Sequence, residues 1–102
     1  MKQINHALDR LADLTMSFDE GNTKYFGKLK KKTPQEIADD LNLWGGPGSF
    51  ADQGMAGMDR EMARAVESAM IELGEALRSS NAANSRMDLW VDTFKKWRDE
   101  RI

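Results

Sequence analysis

The chain has no cysteine, which removes thiol nucleophiles, redox pairs, thiolate zinc centres and a disulfide scaffold at once. That usage suits a reducing compartment, and the N-terminus Met1-Lys2-Gln3-Ile4-Asn5-His6 is too polar for a leader, so a cytoplasmic protein is expected. Long apolar runs are also missing. None approaches the ~20 residues that span a bilayer, and no membrane partner is expected. A single histidine, His6, leaves no pair of Glu-x-x-His motifs for a di-iron bundle and no base for a serine nucleophile once it is assigned to an outward helix face. Nor does one charge sign dominate: 15 basic against 17 acidic side chains give a formal net charge of −2, which argues against a protein whose main task is holding a polyanion.

What is present is an ordinary globular composition, 40% hydrophobic and 31% charged, over 102 residues. One domain covering 1–102 is expected, large enough to bury roughly two-thirds of the surface of its unfolded chain. Its periodicity is helical throughout and no segment alternates as a strand would. Ile4, Leu8, Leu11, Thr15 and Phe18 recur on one helix face, opposite Lys2, His6, Asp9, Arg10 and Asp13, with Gly21-Asn22 as a stop. A short helix from Asn22 or Thr23 presents Tyr25, Phe26 and Leu29, weakened by Gly27. Thr33-Pro34-Gln35-Glu36 forms a capping box with proline in the first turn, after which Ile37, Ala38 and Leu41 face inward until Gly45-Gly46-Pro47-Gly48 breaks the helix. Ser49 with Asp52 offers another capping box. The long helix that follows is expected to be running by Met58, with Met58, Met62, Ala65, Val66, Ala69, Met70, Leu73, Ala76 and Leu77 inward and Glu67, Glu72, Glu75 and Arg78 outward, and to stop at Ser79-Ser80-Asn81. A last helix, capped from Asn81 or Ser85, carries Met87, Trp90, Val91, Phe94 and Trp97. The expected fold is all-α: a compact antiparallel bundle of four main helices with one extra short helix.

The segment Leu41-Asn42-Leu43-Trp44-Gly45-Gly46-Pro47-Gly48-Ser49-Phe50-Ala51-Asp52 resembles a signature of small uncharacterised bacterial helical proteins of about this length, in which a leucine-rich helix ends at Gly-Gly-Met-Gly-Ser-Phe-Asn-Asp. Gly45, Gly46, Gly48, Ser49, Phe50 and Asp52 match; Pro47 and Ala51 depart from it. The resemblance covers roughly the first half of the chain. It implies a helical fold and a bacterial origin, and it carries no activity.

Two surfaces attract functional readings. Backbone N–H groups at the glycine turn, with Ser49, could hold a carboxylate or phosphate, but Asp52 would compete for the same donors and no lysine follows the glycines as in a P-loop; a tight helix-to-helix corner is the simpler account. Lys24, Lys28, Lys30, Lys31 and Lys32 form the one strong charge cluster, suited to phosphates with Tyr25 and Phe26 for stacking, or to an acidic protein, or simply to the dipole at a helix C-terminus. Met55, Met58, Met62 and Met70 fit core filling better than a groove. Trp90, Phe94 and Trp97 likewise read first as core filling, although Arg98 and Arg101 beside that stripe would suit the edge of a protein interface. His6 with Asp9 and Asp13 makes a poor metal site, and the pairs Glu72 with Glu75 and Asp39 with Asp40 read as solvated faces. The expectation is therefore a non-enzymatic bacterial protein-interaction module, immunity-like or an accessory cassette product, without cofactor, metal or catalytic residue. Its partner is another protein or a second copy of this chain. Nucleic acid held by Lys28, Lys30, Lys31 and Lys32 ranks second, and a small ligand at the glycine turn third.

Overall fold

The computed structural model describes residues 2–16, 20–45, 49–53 and 58–100, without the side chains of Glu20, Asn22, Asp52 and Gln53. Among these residues every regular element is helical: α1 (Lys2–Thr15), α2 (Glu20–Leu29), α3 (Pro34–Ala38), α4 (Leu41–Trp44), α5 (Phe50–Gln53), α6 (Arg60–Ser79) and α7 (Ser85–Glu100). The all-α expectation holds, and α1, α2, α6 and α7 are its long members. None of the described helices is long and apolar enough to cross a membrane.

The 20-residue α6 is the axis of the fold. Val66, Ala69, Met70, Leu73, Ala76 and Leu77 are buried on it as the apolar stripe requires. α1 lies antiparallel along α6: Gln3 and Ile4 share a groove with Ala76 and Ser79, whereas Leu14 meets Met62 and Ala65. Ile4, Ala7, Leu8, Leu11 and Thr15 face inward from α1, and the Thr15 hydroxyl donates to the Leu11 carbonyl, so its burial leaves no unpaired polar group. α7 runs antiparallel along the other flank of α6, where it buries Met87, Val91 and Phe94. The α6–α7 corner is a Schellman motif. Asn81 takes a φ of 65°, Ala82 N–H donates to the Leu77 carbonyl and Asn81 N–H to that of Arg78.

Being packed on both sides, α6 buries a second flank that single-stripe reasoning leaves outside: Ile71, Gly74 and Glu67. Glu67, expected on the solvated face, is 6% exposed. At Gly74 a Cβ would fall deep inside contact distance of Val91 Cγ2, so glycine is what lets the two helix backbones come this close.

Several boundaries differ from expectation, each for a local reason. Gly21 and Asn22 do not stop the first helix; α1 ends at Thr15 and both residues lie inside α2. The capping box at Thr33 forms as expected: the Glu36 amide donates to Thr33 Oγ1 at 3.2 Å and the Thr33 amide to Glu36 Oε1 at 2.9 Å. The helix it starts ends at Ala38, because Asp40 adopts extended backbone and caps a new helix by accepting from the Leu43 amide. This restart changes the helical phase, so Leu43 and Trp44 point into the core and Leu41, expected inward, is 63% exposed. Met58 precedes the long helix, which Asp59 caps through the Met62 amide. Finally, the cap of α7 is Asn84, whose side-chain oxygen accepts from the amides of Arg86 and Met87.

Candidate functional site

Three surfaces carry the residues singled out in the sequence. At the glycine turn, Gly45 is the C-cap of α4 with a φ of −76°, and Ser49 is 4% exposed just before α5. Glycine at position 45 is explained by space rather than by positive φ, since a Cβ there would collide with the Leu41 carbonyl oxygen. Gly46 and Gly48, like Met55, Phe18 and Arg101, lie outside the described residues.

Along α7, Phe94 is the pivot of an aromatic row. Its ring centroid is 5.6 Å from that of Trp90 and 5.8 Å from that of Trp97, and both tryptophans are half-buried against the core. On one side of this row α7 is latched to α6: Arg78 Nε donates to Asp88 Oδ1 at 2.8 Å, Arg78 Nη2 reaches Asp92, and Lys95 pairs with Glu75. The hydrogen bond from Lys95 holds the Glu75 carboxyl below its usual range. On the other side Trp90, Thr93 and Trp97 follow one another at helical spacing toward Leu89, which is 67% exposed. Leu89 was missed in the sequence because it lies off the inward stripe of Met87, Val91 and Phe94; that phase offset was the available signal. The Arg98 side chain beside Trp97 is exposed, with Asp99 as its nearest acidic group at 3.7 Å.

The lysine cluster divides in two. Lys30 Nζ donates to Asp9 Oδ1 at 2.9 Å, which ties the end of α2 to α1, and Lys32 lies 3.7 Å from the Asp40 carboxylate. Asp40 also accepts from the Tyr25 hydroxyl at 2.9 Å. Burial and the adjacent Asp40 charge push the Tyr25 phenol well up, so the hydroxyl keeps its proton as donor. Lys24, Lys28 and Lys31 are exposed and make no ion pair among the described residues. Tyr25 and Phe26, the would-be stacking platforms, are half-buried and buried: Phe26 packs edge-on against Phe50 at 5.2 Å and is closed to a base.

The carboxylate pairs are bound up in the fold. Glu72 receives Arg10 at 2.7 Å, with His6 Nε2 at 3.8 Å. Asp39 accepts from Gln35 and Asn84, while the Gln35 amide bonds both the N–H and the C=O of Ala83, fastening α3 to the α6–α7 corner. No group of three or more metal-ligating side chains occurs among the described residues. Of the grooves between α1 and α6, one of about 410 Å³ is lined by Lys2, Gln3, Ile4, Ala76, Ser79 and Ser80, and a second takes in Glu72 and Glu75. Compared with known protein families, curated proteins and solved structures, the chain has no match.

Proposed function

We propose that this chain is a non-enzymatic protein-interaction module of bacterial origin, acting in the cytoplasm as an immunity-like or accessory cassette protein whose helical surface binds another protein or a second copy of itself. The observation that carries the reading is Leu89: a leucine 67% exposed on the flank of α7 that α6 does not cover, bordered along the helix by half-buried Trp90 and Trp97, whereas Arg98 acts on Glu67 and Glu75 on the α6 side. Aromatic side chains beside an exposed aliphatic anchor match the apolar centre of a protein-binding surface. The likeness of Gly45–Asp52 to the bacterial signature supports the origin. The anion reading loses weight because Ser49 is buried.

Affinity purification from the native host, followed by mass spectrometry and size-exclusion chromatography, tests the reading. One stoichiometric protein partner, or a defined oligomer, is expected from the native chain and is lost with Leu89→Lys, a change at a residue 67% exposed. Retention by Leu89→Lys removes α7 as the face, and recovery of nucleic acid alone removes the function.

A further inference from the structure

Gly27 sits within α2 without a structural reason for being glycine. Its φ lies outside the left-handed region and a Cβ built on it would meet nothing within 4 Å. Alanine there would stabilise the helix. Around this gap stand lysines without an ion pair among the described residues: Lys24 one turn before, Lys28 beside it, and Lys31 in the turn that closes the helix, all exposed. The dipole at the end of α2 accounts for Lys28 and Lys31, but not for Lys24, which lies before the last turn. Lys24 to Lys31 spans ~10 Å at ~1.5 Å per residue, about two helical turns. We propose that this face of α2 is a docking surface for an acidic α-helix of a partner protein, which crosses α2 over Gly27 and sets carboxylates one turn apart against Lys24, Lys28 and Lys31.

Charge and shape select that occupant. The patch is short and carboxylates flank it: Asp9 on α1 accepts from Lys30, Asp13 is exposed one turn further along α1, and exposed Glu36 feels the charge of Lys32. Glu36 and Asp39 are held below the usual carboxylate range, Glu36 by its bond from the Thr33 amide and Asp39 by the Asn84 amide, so both stay charged. A nucleic-acid backbone running past the patch meets these negative charges, whereas a two-turn acidic stripe ends where the lysines do. The missing side chain at Gly27 admits a helix backbone closely, which phosphate contacts do not need.

The inference rests on the protein-binding reading, and its test separates the two. Fluorescence anisotropy of the whole chain uses a labelled alanine-rich helix bearing a glutamate every turn, its glutamine counterpart, and single-stranded and duplex DNA. Salt-sensitive binding of the glutamate helix alone is expected, weakened about tenfold by reversal of Lys24, Lys28 and Lys31 to glutamate, in line with the sum of three exposed ion pairs. Gly27→Gln is expected to weaken the same binding while raising the melting temperature, which a purely structural glycine would not do. DNA bound more tightly than the glutamate helix, equal binding of glutamate and glutamine helices, or unchanged binding by Gly27→Gln overturns the proposal. So does a dimer of this chain that dissolves on lysine reversal. If the host partner is captured equally with the lysines reversed but lost with Leu89→Lys, the α2 proposal fails and the protein-binding reading stands.

Discussion

Two glycines inside helices have opposite surroundings. Gly74 faces Val91 so closely that a Cβ has no room, while Gly27 faces open space. The first belongs to an interface assembled by shape, in which α6 and α7 touch along their backbones and the Arg78 and Glu75 ion pairs latch the edge. The second belongs to a helix held from below by Phe26 and Leu29 and at its end by polar clamps, with its outer face vacant. A glycine that packing explains is a stability feature; one that packing does not explain invites a functional account. The largest expected effect follows from the first: Gly74→Leu should lower stability by about 3 kcal/mol, because overpacking must separate α6 from α7. Gly74→Ala should cost less, and Val91→Ala should recover part of that loss in a double-mutant cycle read by chemical denaturation. Simple additivity would show that the two residues do not share the space.

On the α2 side polar bonds carry what shape carries at α6–α7, and Asp40 is the center of the clamp. It caps α4, accepts the Tyr25 hydroxyl and faces Lys32. Asp40→Ala should therefore cost about 2 kcal/mol, roughly one for the lost cap and one for the stranded Tyr25 hydroxyl. If the cost stays the same when Tyr25→Phe is already present, the two groups are not coupled and the clamp is only a cap. Gly27→Ala should move in the other direction, a gain of up to ~1 kcal/mol, or ~4–8 °C in melting temperature for a domain near this size. A loss of stability at this position would show that α2 needs its glycine for folding and would remove the contrast with Gly74.

Local periodicity and local capping were legible in the sequence. The inward residues of α1, the box at Thr33 and Glu36, and the stripe from Val66 to Leu77 each depend on side chains within a few positions of one another. The break at Asp39-Asp40 was harder, because two acidic residues before a leucine read equally as the outer face of one helix and as the cap of a second. Leu41 turned outward as the direct result. Met58 reads as part of the long helix unless Asp59 is taken as its cap, and the cap of α7 falls on Asn84, between the Asn81 and Ser85 that the sequence offers. The lysine cluster was visible, but its division was not: which lysines are occupied depends on Asp9 and Asp40 being brought across from other elements. Leu89 and the second flank of α6 needed the same tertiary knowledge, namely on which side α7 packs.

Glu67 gives the smallest effect and the sharpest view of that second flank. It lies on the side of α6 turned toward α7, buried, with Arg64 on its own helix and Arg98 on α7 as the charges acting on it. Burial pushes its carboxyl up more than the two guanidinium groups pull it down. The folded state therefore binds the proton more tightly than the unfolded chain does, and ionisation at neutral pH costs stability. That cost is relieved as pH falls through the raised folded value toward the unfolded one. Glu75, Glu36 and Asp39 have the opposite sign: their carboxyls are lowered, so their contributions are present above the unfolded value and lost as pH falls. Glu67→Gln should thus raise the melting temperature at neutral pH, with the gain over the native chain shrinking as the solution is acidified. Glu75→Gln should lower it at neutral pH, and that difference too should close in acid. A Glu67→Gln gain that does not change with pH would mean that the amide packs better than the acid for reasons of shape. The charge would then contribute nothing, and the α6–α7 interface would be governed by packing alone.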